Sequence, residues 1–183
     1  MSKSGLFAHF RSKEDLQLAT IDAAAEMFER EVTQPGMAAP AGLRRVRSLC
    51  EAFLVYLERA IFPGGCFFVA AAAELDAKPG PVRDHLREVY SRILDRLAGI
   101  IREAQGLGEI DASEDVVQLT FELDSLMLGA NFAYVFFGDP AALDRARLAI
   151  KQRLARAAPA AVARGRRAGA SRGAKRARQR KRA

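Results

Sequence analysis

Apolar residues recur at steps of three and four along most of the chain. Leu43, Val46, Cys50, Phe53, Leu54, Leu57 and Ile61 form one such stripe, while Arg44, Arg45, Arg47, Glu51, Glu58 and Arg59 fall mostly outside it. That period is the signature of a helix with one buried face. Phe62-Pro63-Gly64-Gly65 should end it, because proline restricts the residue before it and glycine permits a sharp reversal. A short apolar helix is predicted next, over residues 66–76. After the break at Lys78-Pro79-Gly80-Pro81, a long amphipathic helix starts at Val82, marked by Leu86, Val89, Tyr90, Ile93, Leu94, Leu97, Ile100, Ile101 and Ala104. Glu88 and Arg92 pair on its wet side, and Gly106-Leu107-Gly108 closes it.

Ser113, followed by Glu114 and Asp115, is a favourable cap for a helix over residues 114–137. That helix begins amphipathic and becomes apolar almost all round after Ser125, so it must be covered on every side. Gly138-Asp139-Pro140 supplies a stop, an N-cap and a first-position proline for a last helix over residues 140–157. Leu143, Ala146, Ile150 and Leu154 share one of its faces, with Arg147 near that stripe and Leu148 away from it. So short a connection makes the last two helices antiparallel neighbours, and four such helices from two chains would form a bundle.

Toward the N-terminus, Ser12 with Asp15 three positions later is the start signal of a capped helix. It should run to about residue 32, with Leu16, Ile21, Ala24 and Phe28 on its apolar side and a Glu26–Arg30 pair outside. Residues 34–42, with two prolines and two glycines among small residues, read as a loop. A short helical turn over residues 2–8 completes seven predicted helices; no stretch alternates as a strand would, and the fold class is all-α.

The chain of 183 residues, half of them apolar, is long enough for one well-buried core. Its net charge of +7 hides an asymmetry. Residues 159–183 carry ten of the 29 Lys and Arg and no acid, leaving 19 basic against 22 acidic residues elsewhere, a net of −3. Nucleic-acid contacts would therefore come from the N-terminal element, from the basic tail, or from both. The tail has Val162 as its only sizeable apolar side chain and is expected to be disordered, either a sequence-independent phosphate binder or a solvated extension. The chain's two cysteines, Cys50 and Cys66, form no Cys-x-x-Cys pair, and the longest uncharged runs, residues 60–73 and 125–138, are too short to span a bilayer. A cytoplasmic protein without a membrane segment is expected.

Ser4-Gly5-Leu6-Phe7-x-His9-Phe10-x-Ser12-Lys13-Glu14-x-Leu16 resembles the recognition helix, its exit corner and the start of the following helix in the TetR/AcrR family of bacterial transcriptional regulators. The resemblance implies a helix-turn-helix whose second helix lies in the major groove. Carried over position by position, Lys3, Ser4 and Gly5 fall where the family reads base edges, and Phe7, His9 and Lys13 where it touches phosphates. The family usually has Tyr at the Phe7 position, and the two helices it places before this segment are missing, so the resemblance reads as a regulator truncated within its helix-turn-helix. It further implies three regions: a partial DNA-binding domain over 1–33, an all-helical ligand-binding and dimerisation domain over 40–158, and the tail over 159–183. Implied partners are a double-stranded DNA operator, a small apolar ligand and a second copy of the chain, held through residues 114–137 and 140–157. The function implied is ligand-responsive regulation, by repression in the family's usual mode. The alternative is a ligand-binding and dimerisation module that does not read DNA specifically.

No catalytic motif is present: there is no His-Glu-x-x-His, Gly-x-Ser-x-Gly or P-loop, and neither a metal nor a cofactor is expected. His85 beside Asp84 reads as a solvated helix residue. Cys66, after two glycines at a helix start, sits where a thiolate is favoured, but a small buried apolar residue is the plainer reading. Phe53, Tyr56, Phe67, Phe68, Tyr90, Leu94, Phe121 and Met127 are candidates to line a pocket between helices, each of them otherwise plain core.

Overall fold

The computed structural model describes residues 10–159. Lys3, Ser4, Gly5, Phe7 and His9 lie outside the described residues, as does the basic tail beyond Pro159.

The first described helix, α1 (Lys13–Phe28), starts as its sequence requires: Ser12 is extended and its hydroxyl accepts the Asp15 N–H at 3.0 Å. Instead of stopping near residue 32, the helical path widens into a π turn (Glu29–Thr33) and continues as α2 (Gln34–Met37). The predicted loop is thereby cut to residues 38–42. The reason is local, since the N–H of Gln34 reaches back five residues to the Glu29 carbonyl, which widens the turn just before Pro35. Gly36 is used for closeness rather than freedom: a Cβ there would stand 2.7 Å from the Leu49 Cα. The π turn also breaks the expected Glu26–Arg30 register, and Arg30 pairs with Glu31 at 3.0 Å.

Helix α3 (Leu43–Glu58) is the central element, packed against α2, the π turn and three later helices. Its predicted stripe is buried from Leu43 to Leu57, with Val46 wholly inaccessible. The chain then reverses at residues 59–66. Gly65 there has φ +77° and lies so close to Asn131 that a side chain would collide with its amide oxygen. Helices α4 (Phe67–Leu75), α5 (Pro81–Gly106), α6 (Val116–Phe136) and α7 (Ala141–Ala157) complete an all-α fold with no strand among the described residues.

One cap differs from expectation and one forms as predicted. Helix α6 is capped by Asp115, whose Oδ1 accepts the N–H groups of Val117 and Gln118 at 2.8 and 3.1 Å. Ser113 is instead held by Asp111, which accepts both its N–H (3.0 Å) and its hydroxyl (2.7 Å), so the helix begins two residues later than predicted. Before α7, Asp139 accepts the Ala141 N–H at 3.0 Å, as a cap should.

The imperfect stripe of α7 has a structural explanation. Arg147 bridges α7 to α3, donating to Glu51 and Glu58 at 2.9 Å each and to Asp144 at 3.0 Å, and these carboxylates raise its pKa further. Arg153 ties α7 to Glu114 and Glu122 at the other end of the helical pair. Leu148 is left 54% exposed.

Candidate ligand cavity and association face

Where α1 runs into its π turn, the side chains of the turn do not close against α5. Phe28 and Val32 from one side, Leu49 and Phe53 of α3 from behind, and Val89 and Leu97 of α5 from the other side enclose a cavity of about 150 Å³, with Met127 of α6 at its inner end. Its lip is polar. Glu29 in the π turn accepts from one amino group of Arg96, at 3.0 and 3.2 Å to its two oxygens, and Arg92 also faces the space while paired with Glu88 at 2.7 Å. The π turn brings Glu29 and Thr33 to the lip together with Arg96.

Behind the cavity lies an aromatic cluster. The Phe28 ring is 6.4 Å from Phe53, 6.0 Å from Tyr56 and 5.7 Å from Phe68, the last two edge-on, an arrangement that the ring quadrupole favours. Tyr90, half-buried, donates its hydroxyl to Asp124 of α6 at 2.9 Å, and burial holds the Asp124 carboxyl above its ordinary pKa against the opposing pull of that bond.

Of the eight residues expected to line a pocket, Phe53, Leu94 and Met127 do so. Tyr56 and Phe68 stand one layer back in the core. Phe67 belongs to a separate cleft of about 260 Å³ between α1 and α4, and Tyr90 is turned to Asp124. Phe121 is 66% exposed on the far side of α6 and lines no part of this cavity, because the period that puts Leu119, Leu123 and Met127 inward turns Phe121 outward. Val89, Ile93 and Leu97 carried a sequence signal, the stripe of the long helix, but it is the same signal that core residues carry. Glu29 and Arg96 carried none, since nothing in a linear reading pairs residues on helices so far apart.

Helix α6 has a second apolar side. Phe121, Phe132 and Phe136 are 66, 55 and 71% exposed, Val117 continues the row toward the N-terminal end, and Leu148 of α7 lies exposed as well. Phe132 and Phe136 stack at 5.0 Å, and Phe137 meets both edge-on. Contiguous exposed apolar surface of this kind marks an interaction site.

Other candidates fare differently. His85 is not simply solvated: its Nε2 is 2.7 Å from Asp22 Oδ1, which links α5 to α1. Cys66 is buried at the N-cap of α4, its N–H bonded to Asn131 Oδ1 at 2.9 Å, and burial raises its thiol pKa; Cys50 is pushed up to about 12 for the same reason. Such thiols are poor nucleophiles. Lys13 is exposed in the first turn of α1. Among the described residues no group of three or more His, Cys, Asp or Glu could hold a metal ion, and no helix is long and apolar enough to cross a membrane.

Comparison with known proteins bears on the same region. Residues 42–150 match a family model described as the tetracyclin repressor-like, C-terminal domain. Over 116 residues the chain is 33% identical to the transcriptional regulator AcuR of Cereibacter sphaeroides, which covers 62% of this chain and 52% of that protein. The chain thus spans about half the length of this curated relative. A crystal structure of a TetR transcriptional regulator from Chloroflexus aurantiacus superposes with a TM-score of 0.73 at 24% identity, over 79% of this chain and 73% of that one. A TetR-family transcriptional regulator from Streptomyces coelicolor gives 0.70 at 24% identity, over 87% and 80%. At these identities the two structures show the shared fold.

Proposed function

This chain belongs to the TetR family of transcriptional regulators, and from that premise we propose that it is a ligand-responsive, homodimeric cytoplasmic repressor with no catalytic reaction of its own. The observation that carries this reading is the position of the cavity. One of its walls, formed by Phe28, Glu29 and Val32, belongs to the helical path that leads out of the DNA-contacting segment, and the opposite wall belongs to the sensor helix α5. A ligand that fits the cavity better in one placement of α1 shifts the population toward that placement. In a dimer joined through residues 114–137 and 140–157, such a shift changes the separation of the two recognition elements and weakens operator binding. The exposed row of Phe121, Phe132 and Phe136 supports that association, since a second copy would cover it. In this reading Lys3, Ser4 and Gly5 meet base edges, and Phe7, His9 and Lys13 meet phosphates.

The test is a titration of DNA from the region upstream of the protein's own gene, with this chain and with a form extended through the nearest in-frame upstream start. Specific, saturable binding by either form supports the regulator. Binding by neither leaves a ligand-binding and dimerisation module as the better account.

A further inference from the structure

We propose that the cavity takes a small carboxylic acid with an apolar body of about benzene size, and that Arg96 receives its carboxylate in competition with Glu29. The proposal rests on the reading of this cavity as the effector site and names the chemistry of its ligand.

Size comes first. An apolar protein cavity of about 150 Å³ is enough to hold benzene, and this one is about 150 Å³ with aromatic and aliphatic walls at Phe28, Phe53, Leu49 and Leu97. A body of six or so carbons therefore fills it, and a larger ligand requires the helices to part.

The lip then selects the head group. Arg96 and Glu29 are 46 and 43% exposed in their side chains, so their pair sits at the mouth, where exposed ion pairs are weak and readily exchanged. Only one amino group of Arg96 is used. Its Nε and its second amino group make no hydrogen bond among the described residues, which leaves a two-donor edge at the mouth. A flat two-oxygen anion matches that edge, and charge-assisted bonds of this geometry are the strong ones. Arg92 adds a second cation beside it, already shared with Glu88 on the outer side. A cationic ligand fits less well, because among the described residues the lip offers it one carboxylate, Glu29, beside two guanidiniums, Arg92 and Arg96.

Competition gives the site a consequence. A bound carboxylate and Glu29 share one guanidinium charge, so ligand binding loosens the tie that holds the π turn to α5. The element released is the continuation of α1 itself.

The experiment measures binding of benzoate, benzyl alcohol and toluene to the full chain by calorimetry and by ligand-induced thermal shift. These probes share one body and differ in the head group. Benzoate should bind about tenfold more tightly than benzyl alcohol, the worth of a charge-assisted bond after its desolvation. Arg96→Gln, a change at a half-exposed position, should erase that preference. Glu29→Gln, which removes the competitor, should tighten benzoate alone. If benzyl alcohol and toluene bind but benzoate binds no better, or keeps its advantage in Arg96→Gln, or weakens in Glu29→Gln, the carboxylate assignment is overturned while the effector cavity stands. If none of the three binds at millimolar concentration, the effector cavity and the assignment fall together.

Discussion

Helices α3 and α6 are both rich in apolar residues, yet the fold treats them differently. Every large apolar side chain of α3 is buried except Val55, which is 37% exposed, and its charged residues reach solvent or partners elsewhere in the chain, apart from the Arg47 Nε, which is buried without a partner among the described residues. Helix α6 buries Leu119, Leu123 and Met127 on one side and leaves Phe121, Phe132 and Phe136 uncovered on the other. The difference teaches that one chain supplies all the cover α3 needs and only half of what α6 needs. An apolar face that a folded chain does not cover costs solubility unless another surface covers it.

The comparison predicts how substitutions should divide, ordered here by their effect on the unfolding free energy of a single chain. Leu123→Ala empties a fully buried site on the inner side of α6 and should cost about 2–5 kcal/mol, read from denaturant midpoints at unchanged m. A loss under about 1 kcal/mol would mean that the inner side is not the packed one.

Gly36→Ala tests the cover on α3. The new Cβ would meet the Leu49 backbone at 2.7 Å, and the overpacking should outweigh the gain in helix propensity by about 1–2 kcal/mol. A stabilised variant would show that α2 does not press on α3 as described.

Asp124 lies at the flank of α6, between its two sides, and its carboxyl titrates above the ordinary aspartate range because it is buried. With the folded pKa above the unfolded value of about 4, the folded state binds the extra proton, so this group's contribution falls as pH rises from that value to the raised one and is flat above it. Asp124→Asn should remove that decline and leave stability at neutral pH equal or higher. Unfolding curves across pH 3 to 8 that are identical for the two proteins would remove Asp124 from the account.

Phe132→Asp should have the smallest effect on the single chain, within about 0.5 kcal/mol, because the site is already open to water. Its effect should appear in association instead. Sedimentation equilibrium should move from dimer to monomer, and a wild-type chain that is monomeric at micromolar concentration would take the homodimer out of the proposed function.

Much of this molecule could be read along the chain because the signals are local. The Ser12 cap, the stripe of α3, the span of α5 and the Asp139 cap depend on residues within a turn or two of one another, and each forms as read. The misreadings have a common cause. Pro35 and Gly36 carry loop composition, but the π turn accommodates the proline and the contact with Leu49 selects the glycine. Ser113 is as good a cap as Asp115 by residue type, and only the bond to Asp111 decides between them. Phe121 and Phe53 look alike in sequence, yet one faces solvent and the other a cavity.

By itself the sequence determined that the chain is helical, where most helices begin and end, which residues of each share a face, and, through a short motif, the family. Those properties follow from backbone propensities, caps and a period of 3.6 residues, all of which act over a few positions. The tertiary structure alone decided that the helical path of α1 widens at Glu29, that Glu29 meets Arg96 across 67 residues, that His85 meets Asp22 across 63, and which side of α6 the chain covers. Those depend on how helices stack, and an apolar stripe records that a face needs cover without recording what will cover it.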